Sequence, residues 1–207
     1  LNLFFILCVF MATPFLFNNL FFDWRISPDQ SKYLSITNMI REGEFAYQYY
    51  FDPSNPFRWI KLILSGYIFS LSPLISIETF KSVGFLNRFF LLFTTVYLFK
   101  KKKIDLSLFI LVLLTPSLTY YSSIFLRETL ILVVMIWATY FFLEKKYLFL
   151  LPFLILLFFI KNQNLIILII FFYIYMIYKN MHHKKFLIFN LLLISVIISV
   201  FGDFIVQ

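Results

Sequence analysis

Eight long apolar runs dominate the sequence and decide what the chain can fold into. They cover residues 3–22, 60–77, 82–99, 104–121, 124–143, 147–160, 165–178 and 186–205. A transmembrane helix needs about 20 apolar residues, within a range of about 17–25. Hydrophobic residues make up 62% of the chain and charged residues only 14%, whereas soluble domains are about half apolar and a quarter charged. The sequence therefore predicts an all-α fold, a polytopic transmembrane helical bundle.

Half of the 18 lysines and arginines fall in three clusters between these runs, within residues 100–103, 145–146 and 179–185. Cytoplasmic loops of membrane proteins are enriched in Lys and Arg. Two apolar runs separate each cluster from the next, so all three can face the cytoplasm. This placement accounts for the net charge of +8 without nucleic acid. We expect a lipid bilayer, and no nucleic acid, as a partner.

The segment 23–58 does not resemble a cytoplasmic loop, because it carries five acidic residues against four basic ones. It would have to be cytoplasmic if runs 3–22 and 60–77 both crossed the membrane. Run 60–77 is the weakest of the eight, since it contains a lysine, serines, a glycine and a proline. We expect it to form a juxtamembrane or re-entrant helix on the outer face.

This arrangement gives about seven crossings, with the N-terminus in the cytoplasm. The chain is expected to form a single transmembrane domain over residues 1–207. Its parts are a first span (1–22), an outer loop with amphipathic and juxtamembrane helices (23–81) and six further spans (82–207). The first run lacks a basic n-region, so we do not expect a cleaved signal peptide.

The outer loop holds half of the ten acidic residues, at Asp23, Asp29, Glu42, Glu44 and Asp52. Within the loop, Tyr33, Ile36 and Ile40 recur at helical spacing, which predicts a short amphipathic helix beginning near Pro28-Asp29. A carboxylate in the first turn meets the positive end of the helix dipole. Asp29 is therefore either a helix-terminal residue only or a functional carboxylate.

A second polar feature is the pair Arg127-Glu128, which has apolar residues on both sides. Ionisable residues in apolar spans are functional candidates, although such a pair can also be a solvated helix terminus. The expected outer level collects further cations, each of which could instead snorkel to the interface: Arg58, Lys61, Arg88 and Lys161. Since positive charge belongs on the inner side, these cations favour a phosphate-bearing lipid substrate.

The stretch Asp29-Gln30-Ser31-Lys32-Tyr33, followed by Gly43, resembles a motif of the polyprenol-phosphate-sugar-dependent membrane glycosyltransferases of the GT-C class. That class includes the protein O-mannosyltransferases and the lipid A aminoarabinose transferases. Their first outer loop carries Asp-Glu-x-x-Tyr, then a helix and a glycine. This chain matches the motif at its aspartate, its tyrosine and its glycine, with Gln30 in place of the second carboxylate.

Three further positions are similar to the same family. Pro56 lies in a segment like the family's proline-containing juxtamembrane segment, and Asn87-Arg88 resembles the arginine that opens its next span. Glu128 stands where the family often has a second acidic residue. The resemblance implies a short or truncated member, in the bacterial cytoplasmic (inner) membrane, with its active face periplasmic or extracellular.

The activity implied is inverting transfer of a sugar from a polyprenyl-phosphate donor to a lipid, glycan or protein acceptor. Asp29 is the expected general base, since an acceptor hydroxyl needs one. Substrate-binding residues would be Tyr33, Lys61, Arg88, Arg127, Glu128 and Lys161. A divalent metal ion, if the reaction uses one, would be held by Asp29 and Glu128.

Two alternatives stay open. One is a polysaccharide polymerase or ligase of the O-antigen or capsule type, in which outer arginines rather than Asp29 carry the chemistry. The other is a non-catalytic lipid or glycan transporter, or a partner subunit. A transporter would spread polar residues through the depth of the membrane, whereas this sequence concentrates them at one face.

Overall fold

The computed structural model describes residues 3–17, 28–44, 56–72 and 79–179, and every regular element within them is an α-helix. The predicted span 186–205 lies outside these residues. The helices are α1 (Leu3–Phe17), α2 (Pro28–Arg41), α3 (Pro56–Ser70), α4 (Thr79–Lys100), α5 (Leu106–Leu114), α6 (Pro116–Ser123), α7 (Glu128–Leu143) and α8 (Tyr147–Lys179). The all-α prediction is confirmed for the described part of the chain.

Two of these helices are long and apolar enough to cross a membrane, namely Lys81–Lys100 within α4 and the whole of α8. The bent pair α5–α6 makes a third if it counts as one span. The helix α7 has 16 residues, fewer than the roughly 20 that a crossing needs. The helix α1 is described over 15 residues, and residues 18–22 of its predicted span lie outside the described part. The described residues thus provide two or three candidate spans, and they do not support the predicted seven crossings.

The weak run 60–77 corresponds to α3, which has 15 residues. At about 1.5 Å per residue this helix is shorter than the hydrocarbon core of a bilayer. Its length agrees with a juxtamembrane or re-entrant helix, while residues 73–78 lie outside the described part. The side of the membrane on which α3 lies stays a prediction.

The predicted span 104–121 is wrong as a single helix. The helix α5 ends at Leu114, Thr115 has extended backbone (φ −62°, ψ 116°), and α6 begins at Pro116. The two helices are bent by 56° relative to each other. The residue before a proline avoids the helical region, and proline suits the first helical position. The chain therefore breaks where its sequence contains Thr-Pro.

The predicted span 124–143 begins later than expected. Ile124 is extended (φ −95°, ψ 160°), and α7 starts only at Glu128, after Arg127 at its N-cap position. The four residues before α7 form a non-helical connection, which we call the entry segment (residues 124–127). This segment brings the Arg127-Glu128 pair to a helix N-terminus.

The two predicted spans 147–160 and 165–178 lie in one element, α8. Lys161 interrupts it with non-helical backbone (φ −158°, ψ 90°), so two helices meet there. The chain also divides at this point into two compact units, Leu1–Asn162 and Gln163–Gln207. The connection between the two predicted spans is thus a break at a single residue. That the two halves cross separately stays a prediction.

The helix α2 confirms the predicted amphipathic helix near Pro28-Asp29. Tyr33 and Ile36 are buried, while Asp29 and Lys32 are exposed. Its apolar face packs closely on α3, because a Cβ on Gly66 would lie only 2.5 Å from Cγ2 of Ile36. The glycine therefore permits an approach that any larger residue would obstruct.

Two apolar clusters organise the first unit. One joins α2, α3 and α4 to the entry segment, through Tyr33, Phe69, Val83, Ile124, Phe125 and Leu126. The other joins α1, α4, α5 and α7, through Phe10, Leu91, Phe109, Leu113 and Val133. The first cluster fixes α2 against the start of α7, where the polar residues singled out in the sequence meet.

Candidate functional site

The start of α2 presents a carboxylate to solvent. Asp29 lies in the first turn of the helix, and its side chain is 65% exposed. Its Oδ1 lies 3.5 Å from Nζ of Lys32, at the same helix end. Exposed pairs of this kind contribute little to stability. The carboxylate of Asp29 is therefore accessible to a ligand that approaches α2.

Tyr33, one helical turn beyond Asp29, anchors α2 to the interior. Its ring packs edge-on against Phe69 and Phe125, with centroid distances of 5.9 Å and 6.4 Å. Cζ of Arg127 lies 5.8 Å from the centroid of the same ring. A guanidinium at this distance is attracted to the negative face of an aromatic ring. Tyr33 thus connects the start of α2 to the start of α7.

The electrostatics of Tyr33 report which charges share its surroundings. Burial raises the pKa of its phenol to about 12, Arg127 opposes this shift, and Glu128 and Asp29 add to it. The phenol is therefore protonated at physiological pH, and its hydroxyl keeps its proton. The Arg127-Glu128 pair, which is distant in sequence, and Asp29 of the same helix both act on this phenol, so the starts of α2 and α7 share one environment.

Two cations converge on the break in α8. Nη1 of Arg127 donates a hydrogen bond to the carbonyl oxygen of Ile160 at 3.1 Å. Nζ of Lys61 donates to Oδ1 of Asn162 at 3.0 Å. Because Lys161 between them departs from helical geometry, carbonyl groups at this helix end are open to other donors. The break therefore gathers Lys61, Arg127 and Lys161.

Glu128 is the first residue of α7. The positive end of the helix dipole stabilises a carboxylate at this position. Its Oε2 is buried, and no residue of the described part gives it a hydrogen bond. Buried polar atoms without a partner are rare in native proteins. This oxygen can accept a hydrogen bond or a cation that the described residues do not supply.

Asn87 and Arg88 hold the entry segment from the side of α4. Nδ2 of Asn87 donates to the carbonyl oxygens of Ile124 and Leu126, at 3.2 Å and 3.0 Å. Nη1 of Arg88 donates to Oγ of Ser123 at 2.9 Å. These bonds fix the non-helical connection that presents Arg127 and Glu128. Sequence reasoning missed this role of Asn87, whose only signal was a polar pair in an apolar run.

Arg88 is fully buried, and its guanidinium lies 4.0 Å from the ring centroid of Phe10. Within the described residues, its Nε and Nη2 have no hydrogen-bond partner. The side chain is therefore in the interior and not on a surface that a ligand reaches. Arg88 binds Ser123, at the end of α6. The cation that lies over the ring of Tyr33 is Arg127 and not Arg88.

Arg41, at the end of α2, was also missed. Its guanidinium donates to Oγ1 of Thr79 at 3.2 Å and to the hydroxyls of Ser72 and Ser82. Oγ1 of Thr79 in turn donates to Oδ1 of Asn38 at 2.9 Å. This network, which we call the Arg41 clamp, fixes the far end of α2 to the start of α4. All its partners are tertiary, so the sequence alone gave no signal for it.

An apolar cavity of about 580 Å³ lies next to the cations. It is bounded by α3, α4, α7 and the first part of α8, and Leu130 in its lining stands three residues beyond Arg127 in the sequence. Its lining is apolar except for Thr94, and it continues along α7 to Trp137 and Phe141. The cavity has the volume and lining of a site for an apolar ligand.

Of the seven residues predicted for the site, Asp29, Tyr33, Arg127 and Glu128 share one electrostatic environment, Lys61 and Arg127 bind beside the break at Lys161, and Arg88 lies apart in the interior. The described residues contain no group of three or more His, Cys, Asp or Glu side chains that could hold a metal ion. Comparison with family models, with curated proteins and with solved structures finds no match for this chain.

Proposed function

We propose that this chain is a membrane glycosyltransferase, which moves a sugar from a polyprenyl-phosphate donor to an acceptor hydroxyl at the outer face of the membrane. The contact between Tyr33 and Arg127 supports this most strongly. It joins the carboxylate-bearing start of α2 to the cation-bearing start of α7. Transfer from a sugar phosphate needs both, a base for the acceptor and cations for the leaving group.

Asp29 acts as the general base. Its carboxylate is 65% exposed, so an acceptor can reach it. The acceptor oxygen attacks the anomeric carbon while its proton passes to Asp29. The bond from that carbon to the phosphate oxygen breaks, and its electron pair leaves with the polyprenyl phosphate. Attack opposite the leaving group inverts the anomeric configuration.

The three cations at the break in α8 bind the phosphate. Arg127 offers two parallel N–H donors, which suit a phosphate better than a single ammonium group does. Lys61 and Lys161 add charge as the leaving group becomes more negative. Glu128 orients Arg127 or, with Asp29, holds a divalent ion. Tyr33 positions Arg127 by its contact from α2. Arg88 acts on the same arginine indirectly, because it binds Ser123 directly before the entry segment.

The hydrocarbon part of such a donor matches the apolar cavity of about 580 Å³. Leu64 and Leu130 in its lining stand three residues beyond Lys61 and Arg127, so a lipid phosphate bound by these cations would lie close to the cavity. A soluble nucleotide sugar would have no use for this cavity. The neighbouring apolar volume therefore favours a lipid-linked donor.

The proposal includes about seven crossings, a cytoplasmic N-terminus and a periplasmic or extracellular site in a bacterial cytoplasmic membrane. The polarity of two helices supports the orientation, and the number of crossings comes from the apolar runs of the sequence alone. The helix α4 carries Asn87 and Arg88 close to its middle, where they bind the entry segment, and it reaches the basic residues 100–103 at its C-terminal end. The helix α7 runs from Arg127 to the basic residues 145–146. The lysine-rich ends suit the cytoplasm, which leaves the site outside.

One observation favours the polymerase or ligase alternative. Asp29 contacts a lysine of its own helix in an exposed position, whereas Arg127 is integrated with Tyr33 and Ile160. An arginine-centred reaction would need Arg127 and not Asp29. The two functions are therefore separated by changing each residue in parallel.

The test compares membranes from cells that express wild type, Asp29→Asn, Arg127→Gln or Glu42→Gln at matched levels. Glu42 is an exposed carboxylate just beyond the other end of α2, so its variant controls for loss of charge. Mass spectrometry follows polyprenyl-phosphate sugars and glycosylated products. We expect Asp29→Asn and Arg127→Gln to accumulate one donor and lose one product, while Glu42→Gln behaves as wild type. Loss of the product with Arg127→Gln alone would favour the polymerase or ligase. Unchanged profiles in all variants would exclude both the glycosyltransferase and the polymerase or ligase.

A further inference from the structure

The helices α4 and α7 end in the same way at the end remote from the candidate site. The amide of Lys103 donates to the carbonyl of Leu98, and the amide of Lys146 donates to that of Phe141, both at 2.9 Å. Lys102 and Lys145 have left-handed backbone, with φ of 55° and 58°. This pattern is a Schellman cap, whose left-handed position is usually glycine. Both caps therefore keep a lysine where glycine would fit the backbone better.

An ion pair joins the two caps. Nζ of Lys103 lies 2.5 Å from Oε1 of Glu144. Hydrogen bonding to Lys103 lowers the pKa of Glu144, so the pair persists at neutral pH. Asp105, the other nearby carboxylate, accepts a hydrogen bond from the amide of Leu108 and caps α5. We call residues 100–105 and 144–146 the lysine end.

The charge of the lysine end is far from balanced. Six lysines face two carboxylates, and one of the lysines is paired. Nζ of Lys101 lies 5.8 Å from the ring centroid of Tyr97. In the part of the chain that the structure describes, no carboxylate pairs with Lys100, Lys102, Lys145 or Lys146. The lysine end therefore carries a net positive charge that an anion would neutralise.

Two hollows meet at Lys103. A cavity of about 340 Å³ between α4 and α7 has Lys103 and Glu144 at its rim, and its walls are mostly apolar, with Leu98, Met135, Ile136 and Leu143 among them. A second hollow, of about 560 Å³, is lined by Phe99, Lys100, Lys102, Lys103, Ile104 and Asp105. Leu106, Leu143 and Leu148 nearby are exposed by about half or more. The lysines thus border apolar surface and an apolar cleft.

We propose that the lysine end binds an anionic membrane lipid. Its phosphate lies in the hollow at Lys100, Lys102 and Lys103, and an acyl chain enters the cleft between α4 and α7. Charge complementarity identifies this occupant, because anionic headgroups bind basic pockets between membrane helices. A soluble phosphate would leave the apolar cleft empty. The site lies at the opposite helix ends from Arg127 and does not depend on the proposed glycosyl transfer.

The test measures thermal stability of the purified full chain in nanodiscs of phosphatidylglycerol or of phosphatidylcholine, and lipid binding in neutral detergent. The variant Lys100→Gln/Lys102→Gln removes two charges and leaves the Lys103–Glu144 pair intact. We expect it to bind phosphatidylglycerol about thirtyfold more weakly, as two lysines near an anionic headgroup imply. The control Lys32→Gln/Lys179→Gln loses the same charge elsewhere and should bind within twofold of wild type.

A further variant separates lipid binding from folding. Lys102→Gly relieves the left-handed backbone, so it should melt at or above the wild-type temperature in neutral detergent. It should nonetheless lose part of the stabilisation by phosphatidylglycerol. Equal stability of wild type in both nanodiscs would overturn the proposal, and so would equal losses in the control. An equal shift with millimolar inorganic phosphate in detergent would also overturn it, because an anion alone would then suffice.

Discussion

Arg127 lies over the ring of Tyr33, with Cζ 5.8 Å from the ring centroid, although 94 residues separate them in the chain. This contact makes one site of two sequence features, the Asp29–Tyr33 stretch of α2 and the Arg127-Glu128 pair of α7. The shared environment also governs the ionisation of Tyr33.

Replacement of Tyr33 by Phe should protect the fold at alkaline pH. Burial raises the pKa of Tyr33 from 10.0 to about 12. The stabilising contribution of the neutral phenol is complete below pH 10, and it is lost as the pH rises towards 12, because the unfolded chain ionises first. Circular dichroism should therefore show Tyr33→Phe losing less helix between pH 10 and 12 than wild type does.

Tyr147→Phe is the matched control for this measurement, since Tyr147 is 60% exposed. It should follow the wild-type curve. If both variants shift the alkaline transition equally, the effect does not come from the buried site.

A methyl group at Gly66 should force α2 away from α3. The added Cβ would lie 2.5 Å from Cγ2 of Ile36 and 3.0 Å from Cδ1 of Ile40. Overpacking of this kind costs about 1–3 kcal/mol, and the melting temperature of Gly66→Ala should fall accordingly. The exposed Ser35→Ala on the same helix should melt as wild type.

The double variant Gly66→Ala/Ile36→Ala provides a sharper check. Removal of Cγ2 at Ile36 opens the space that the new methyl group needs, so the second change should cost much less in the Gly66→Ala background than alone. Additive losses would mean that the two helices do not touch at Gly66.

Asn87→Asp should destabilise the chain more than Asn87→Ala. Nδ2 of Asn87 donates to two carbonyl oxygens of the entry segment. Alanine leaves these acceptors unpaired, which lowers the free energy of unfolding by about 1–3 kcal/mol. Aspartate would lose the same bonds and would also place a negative charge beside the two carbonyl oxygens. Thermal unfolding in detergent measures the order of the variants. The reverse order would remove Asn87 from the support of the entry segment.

Arg41→Lys should loosen the end of α2. A lysine keeps the charge but cannot donate along the separate directions by which Arg41 reaches Thr79, Ser72 and Ser82. We expect a loss of about 1–3 kcal/mol. Lys32→Arg, at an exposed position of the same helix, should change stability by less than about 0.5 kcal/mol. Equal stability of Arg41→Lys and wild type would show that charge alone suffices.

The sequence predicted those features that depend on local pattern. The alternation of Tyr33, Ile36 and Ile40 with polar residues specified α2, because burial of one helical face leaves that spacing. The weakness of run 60–77 indicated a helix too short to span. The proline at position 116 also indicated a break after Thr115. The prediction of one span over residues 104–121 missed it, because hydropathy does not depend on backbone angles.

The features that could not be predicted depend on tertiary contacts. Ile124 and Phe125 are as apolar as the helix that follows, and the hydrogen bonds from Asn87 and the packing against Tyr33 and Phe69 that hold them outside α7 are tertiary. The Arg41 clamp joins side chains about 40 residues apart. Arg88 was expected to bind substrate at the outer level of the membrane, yet it is fully buried, with Phe10 and Ser123 among its contacts.

The central claim is that the starts of α2 and α7 form one site for a lipid-linked phosphate. The most direct measurement is photolabelling of the full chain in nanodiscs with a polyprenyl phosphate that carries a diazirine in its hydrocarbon chain. We predict label on peptides that line the 580 Å³ cavity, around Val133 and Trp137, and its loss in Arg127→Gln/Lys61→Gln but not in Lys32→Gln. Label that is spread over other helices, or unchanged in the double variant, would contradict the account.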